Sequence, residues 1–408
     1  MQDFINKNFF ILILFTLIFG VMFYDIIDNS GFSYTDELCV LIVLILYIIK
    51  VYKNPVWEFN KTFLFVIGVF IFYLIYSIAI RSNVLTGILL DFFIQIKPYI
   101  SFFAVFALKP EFSVNQKKII RQIVLVFGLY LLLIGFIYIG FNYKIIHLLL
   151  GHESRLATAA SILALLYLYC SDYTKVDKCV FVLLLSIGLF SGRSKLFGFL
   201  ALCILMLLYM NDSFQMKLNA KNTFFLLFAM AVTAFVAKNK IHFYFIEGGL
   251  GNSRSTEDLY ARMALYYFSL FVFLDYMPFG SGFASYATYA SGAYYSPIYE
   301  KLSMNQMHGL TKADPQFIAD TYYPALAQFG VIGVVLFFCF WGYLAYKGIK
   351  AYSTNCRKEV TIALMLIAFF LIECTSDATI THNRGIFLMM LLGMIFSDIQ
   401  MKTEKNER

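Results

Sequence analysis

Apolar runs long enough to cross a bilayer recur along this chain, and they constrain its fold more than any other feature. In hydrocarbon, each backbone N–H and C=O has to find a partner within the protein, so an isolated crossing segment is a helix. A crossing takes roughly 17–25 apolar residues, and a crowded bundle tolerates shorter ones. Such runs lie near 9–27, 37–51, 62–80, 86–107, 119–140, 156–170, 178–191, 195–210, 222–237, 324–346, 360–374 and 385–397, which gives about twelve spans. The expected fold class is all-α, a polytopic membrane protein. Hydrophobic residues make up 61% of the chain, against roughly 45–50% in ordinary usage, and a soluble fold cannot hide that surplus. The 46 Phe and 29 Tyr suit a lipid-facing chain with interfacial belts.

The formal charge of +7 does not point to nucleic acid, because the basic residues stand at span ends and make no continuous basic face. Their distribution sets orientation instead. Lys50, Lys53 and Lys61, then Lys109, Lys117, Lys118 and Arg121, then Lys175 and Lys178, Lys217 and Lys221, and Lys347, Lys350, Arg357 and Lys358 fall on one side, with Lys7 and the tail. The opposite loops carry fewer, and the first of them holds Asp25, Asp28, Asp36 and Glu37. Both termini are therefore expected in the cytoplasm. The first apolar run follows Lys7 without a small-residue cleavage site and is expected to stay as an anchor. The seven cysteines show no metal-ligand spacing and read as small apolar residues. No internal repeat, Walker loop or HExxH is present, so neither a metal nor a cofactor is expected.

One segment, Arg254 to Gly333, breaks the pattern with polar residues and no uninterrupted span. It belongs to a large loop, 238–323, that the charge pattern places outside, on the periplasmic face of a bacterial inner membrane. The division that follows is about nine helices over 1–237, the loop, about three helices over 324–397, and a solvated, frayed tail over 398–408. Within the loop, 256–274 reads as a helix opened by a Ser255–Asp258 capping pattern and closed by Pro278 and Gly280. Arg262, Tyr266 and Ser269 recur on one face of it. A helix lying at the interface with Arg262 turned inward fits this pattern, and a thirteenth span is the alternative.

Basic residues on the outer side run against the positive-inside rule, and four of them are arginines at span ends or in the loop: Arg155, Arg193, Arg262 and Arg384. Guanidinium is always charged and grips phosphate oxygens in pairs, so a convergence of several would hold a lipid-linked pyrophosphate; snorkelling to headgroups is the plain alternative. Arg193 sits between two short apolar runs that read as a hairpin re-entering from the outer side. A transferase acting on a sugar hydroxyl also needs a base. Asp320, just before the span near Pro324, is the first choice, ahead of His308 and Asp314. Tyr286, Tyr289, Tyr294, Tyr295 and Tyr299 suit sugar rings or the lipid interface equally. Lys195, Arg254, Tyr266 and Tyr322 complete the expected substrate contacts, and Glu373, Asp377 and His382 stand near the same outer end. Gly330 and Gly333 read as structural.

Four stretches carry a family resemblance: SRLATAAS, SGRSKLFGFL, STEDLYARMALYYFSLFVFLDYMPFGSGF and DTYYPALAQFGVIGVVLFF. In this order, around a large outer loop, they resemble the O-antigen polymerase and O-antigen ligase superfamily, the Wzy-type polymerases and their relatives. The resemblance covers residues from about 154 to 340; the N-terminal third matches in hydropathy alone. It implies a C-type glycosyltransferase architecture acting on undecaprenyl-pyrophosphate-linked oligosaccharides in the membrane, with no metal and no nucleotide sugar. It places Arg193 and Arg262 on the pyrophosphate, with Arg155 assisting. Ligases carry a His one residue before an Asn at the end of the loop, where this chain has Ala319 and Asp320. That departure favours a polymerase, working with a flippase and a chain-length regulator. A ligase is the first alternative. A transporter or flippase is the second, and would call for charge buried at mid-membrane, for which Lys97 beside Pro98 is the candidate.

Overall fold

A computed structural model describes residues 1–24, 26, 34–53, 60–141, 144–210, 254–353 and 355–407, with the backbone alone at 60, 254–260, 406 and 407. The expected span at 222–237 lies outside the described residues. Every regular element among the described residues is helical. In chain order these are α1 (Gln2–Phe15, continued by a wider turn over Thr16–Met22), α2 (Thr35–Lys53), α3 (Asn60–Ile80), α4 (Leu85–Leu108), α5 (Val114–Gly140), α6 (Ile145–Leu150), α7 (Glu153–Cys170) and α8 (Lys175–Ile187). There follow α9 (Ser194–Tyr209), α10 (Arg254–Asp275), α11 (Tyr289–Ala293), α12 (Pro297–Lys301), α13 (Tyr322–Ala325), α14 (Gly330–Lys350), α15 (Arg357–Glu373) and α16 (Asn383–Glu407).

Six segments among the described residues are long and apolar enough to cross a membrane: Gln2–Met22, Lys61–Ile80, Leu85–Leu108, Val114–Gly140, Tyr322–Lys350 and Asn383–Lys405. The chain is thus a multi-pass helical membrane protein. The other expected runs among the described residues are helices too, but shorter or more polar. α2 carries Asp36, Glu37, Lys50 and Lys53, α9 has 16 residues, and α15 has 17 with charge in its first turn. α4 runs through Pro98 to Leu108, in keeping with the expected run over 86–107. One detail differs from expectation: the chain does not fray after 397, because α16 continues to Glu407 and Lys402 ties it down, 2.9 Å from Glu359 and donating to the Asn355 carbonyl.

α4, α7 and α16 form the centre. The residues of α7 from Leu156 to Cys170 are all buried, the mark of a helix surrounded by others. α16 packs along α4, which also meets α2 and α3. Gly393 makes that close: a Cβ there would come within 2.6 Å of the Phe102 carbonyl, so only glycine lets the two backbones approach. At the end of α4, Lys50 donates to the Ala107 and Leu108 carbonyls at 2.9 and 2.8 Å, filling acceptors that a helix C-terminus leaves open.

The loop is a folded unit rather than a tether. Leu265 and Val272 of α10 pack with Tyr286, Tyr299, Leu310 and Ile318 into a core of its own. The adjoining ends of α3 and α4 grip it. Tyr76 donates to the Gly280 carbonyl at 2.8 Å, Ser82 to Phe283 at 2.8 Å, and Asn83 to Ala284 and Tyr294 at 2.7 and 2.8 Å. Asp91, fully buried in α4, accepts the Ala284 N–H at 2.7 Å. The Pro278–Gly282 turn lies against Gly330 with no room for a side chain: a Cβ on Gly280 would stand 2.3 Å from the Gly330 nitrogen.

Candidate active site

Arg193 stands in the turn of the expected hairpin. α8 ends in a tight turn over Gly188–Ser191, Gly192 adopts the left-handed conformation (φ 62°), and Arg193 caps the start of α9. One guanidinium nitrogen, Nη2, lies 3.0 and 2.8 Å from the two ring nitrogens of His152 and 3.7 Å from Glu153. His152 in turn caps α7, where its Nδ1 accepts from the Ser154 N–H. Burial, and then the Arg193 charge beside it, hold the His152 imidazole below its ordinary pKa, so the ring next to the guanidinium is neutral near pH 7.

Two residues further, Lys195 reaches across to the last two helices. Its Nζ lies 2.8 Å from Glu373 and 3.6 Å from Asp377. Thr158 of α7 donates to the same Glu373 oxygen at 3.5 Å. Burial alone would raise the Asp377 carboxyl, but Lys195, the Thr379 hydroxyl and the imidazoles of His382 and His152 outweigh it and keep Asp377 ionised.

The loop supplies the opposite wall. Arg262 of α10 donates through Nε to Asp320 in a short ion pair, and Tyr266, one turn on, donates to the Thr375 carbonyl at 2.7 Å. Ser269 bonds back to the Tyr266 carbonyl instead of continuing the stripe. The away-facing residues Met263, Tyr267, Leu270 and Leu274 are exposed and apolar, which gives α10 two unlike faces.

These groups share one neighbourhood. His152 lies in the field of Arg193, Glu153, Asp377 and Asp320. Arg155 feels Arg384 and Asp377, and His382 feels Asp377, Lys97, Arg155 and Arg384. Arg384 donates to the Val21 carbonyl at 3.1 Å, at the end of the α1 extension where helix carbonyls lack partners. The side chains of Arg193, Arg262, Asp320 and Asp377 keep 25–28% of their surface accessible, whereas the Lys195 side chain keeps 12% and Arg384 is buried, so only part of the cluster faces solvent. Arg193, Lys195, Arg262, Arg155 and Arg384, drawn from four separate stretches, thus converge with carboxylates interleaved.

Other expected contacts fall elsewhere. Tyr322 turns into the membrane region, donating to Gln95 at 3.0 Å, and is buried. His308 and Asp314 face each other at 3.9 Å as a half-exposed pair beside Phe317. The side chain of Arg254 and the Ser255–Asp258 cap lie outside the described side chains. Tyr286 and Tyr299 are core residues, not sugar platforms: both are fully buried, Tyr286 donating to the Leu265 carbonyl and Tyr299 accepting the Ala287 N–H. Tyr295 donates to the Leu310 carbonyl, and only Tyr289 and Tyr294 remain exposed.

His152 is the member of the cluster that sequence reasoning passed over. Its signal was its place one residue before a helix that begins Glu153-Ser154-Arg155, a position where a side chain is held by capping. No protein-family model, curated protein or solved structure matches the chain.

Proposed function

We propose that this protein is a polysaccharide repeat-unit polymerase of the Wzy type. It would transfer a growing glycan from undecaprenyl pyrophosphate onto a second lipid-linked repeat unit at the outer face of a bacterial inner membrane. The observation that carries the proposal is the meeting of Arg193, Lys195, Arg262, Arg155 and Arg384 in one partly accessible cluster. Glu153, Glu373, Asp377 and Asp320 already pair with part of this charge, and a diphosphate is the further anion that guanidinium geometry suits.

In this reaction the acceptor hydroxyl attacks the anomeric carbon of the donor glycan. The bond from that carbon to the diphosphate oxygen breaks, and the electron pair leaves with the lipid diphosphate. Arg193 and Arg262 stabilise that developing charge. The hydroxyl proton passes to Asp320. Arg262 holds Asp320 in the resting protein, so the arriving diphosphate would take Arg262 for itself and release the carboxylate to act as base. Both termini inward, the loop outward and further spans beyond the six belong to the same proposal.

Purified protein given lipid-linked repeat units should produce a ladder of longer glycans on the lipid. Single units left unextended, with the protein folded and the donor present, would overturn the assignment. A transporter is the second reading, favoured by one observation. Lys97 is buried midway along α4 and lies 2.6 Å from Asp36 and 2.5 Å from Glu37, and intramembrane charge of this kind often marks a transport path. Vesicles that translocate a lipid-linked sugar without extending it would establish that reading.

A further inference from the structure

A cavity of about 280 Å³ lies apart from the cation cluster, between α3, α4 and α14. Its walls are hydrocarbon and aromatic: Phe65 and Val69 from α3, Leu336 and Phe340 from α14. Gln95, Tyr99 and Tyr322 add polar atoms to the lining. Gln95 and Tyr322 bond each other. Tyr99 is 8% exposed, and no side-chain or backbone group among the described residues bonds its hydroxyl.

The walls belong to helices that cross the membrane, and the lining includes residues at the outer surface. Phe65 is 60% exposed and Cys339, also in the lining, is exposed. The cavity therefore communicates sideways with the bilayer. An apolar space of this size does not hold water comfortably, so what enters it from that side is a lipid chain. Tyr322, in its lining, is two residues from Asp320, which pairs with Arg262 in the cation cluster.

We infer that this cavity seats the polyisoprenoid chain of the lipid-linked substrate, entering between α3 and α14, with its diphosphate end turned toward Asp320 and Arg262. The inference rests on the transferase proposal for its choice of lipid. A methyl-branched, unsaturated chain makes many dispersion contacts with aromatic walls of this kind.

The test is photolabelling of the full-length protein in nanodiscs, with one probe a diazirine-bearing polyprenyl phosphate and the other a diazirine-bearing phosphatidylethanolamine. The polyprenyl probe should label peptides covering 62–73 and 333–343, and unlabelled polyprenyl phosphate should compete where phosphatidylethanolamine does not. Leu336→Trp and Val69→Phe, which fill the space, should each reduce that labelling by about tenfold or more. Val335→Trp, beside it on the lipid-facing surface, should leave it unchanged. Equal labelling by both probes, with no selective competition, would make the cavity a general acyl-chain site and overturn the inference. Labelling confined to other peptides would overturn it too. The readout needs no turnover: selective labelling without glycan extension would defeat the transferase proposal alone, and extension without labelling here would defeat this inference alone.

Discussion

Arg262 and Asp320 neutralise one another, and that pairing determines what removing either should do. With Asp320→Asn the proposed base is lost while the arginine is freed. Glycan extension should fall by roughly 10²–10⁴-fold, with lipid diphosphate bound at least as tightly, as read by single-turnover kinetics beside equilibrium binding. Extension at the wild-type rate would take the proton-accepting role away from Asp320. His152 gives a pH signature. Its pKa is lowered by folding, so the unfolded chain holds more protons as the pH falls below about 6.5, the ordinary histidine value. The stability this represents is complete above that pH and is lost as the pH drops toward the folded-state pKa. Thermal melts between pH 7.5 and pH 5 should show a decline that His152→Gln flattens; parallel curves for the two proteins would contradict it.

At the scale of elements, the joint between loop and membrane helices depends on two backbones touching at Gly280 and Gly330. Gly280 has φ 81° and Gly330 has φ 60°, and the atoms a Cβ on Gly280 would strike are backbone, including the Gln328 carbonyl at 2.4 Å. Side chains can rotate away, but these atoms cannot. Gly280→Ala should therefore destabilise the loop's seat by about 1–3 kcal/mol or more, seen as a lower melting temperature and as protease cleavage within 276–321. An unchanged cleavage pattern would mean the contact is dispensable. This joint also marks how far the sequence could be read. The glycines around Pro278 announced a turn, and those at 330 and 333 a close packing, but nothing local says that the two glycine sites meet each other, because the contact spans 50 positions. The tyrosines misled for a related reason. A run of tyrosines looks the same in a sugar cleft, at a headgroup layer or in a small core, and only the burial of Tyr286 and Tyr299 decides. Helices were legible wherever apolar length forced them, as in α4 and α5. Spans were less so where charge sits inside the run, as Asp36 and Glu37 do in α2, since the partner that neutralises them lies on another helix.

Across the whole molecule, buried charge ties distant segments together. Lys97 with Asp36 and Glu37 joins α4 to α2, and Lys195 with Glu373 and Asp377 joins α9 to the end of α15 and the turn that follows it. If the first group is structural, Lys97→Met should destabilise strongly, by roughly 3–5 kcal/mol, because it strands buried carboxylate. Adding Asp36→Asn and Glu37→Gln should restore most of the loss and leave glycan extension near the wild-type level. A triple variant that melts normally yet extends nothing would give these residues a functional part. The second group belongs to the cation cluster, and the central claim is the proposal that cations from separate segments form one binding site for a lipid-linked diphosphate. Its most direct measurement is equilibrium binding of a lipid diphosphate oligosaccharide to the purified protein in nanodiscs, beside the same oligosaccharide on an uncharged lipid alcohol. The wild type should prefer the diphosphate strongly, and Arg193→Ala with Arg262→Ala should erase that preference while leaving the weak binding of the neutral lipid. Equal affinity for the charged ligand in wild type and double variant would show that these arginines do not hold it.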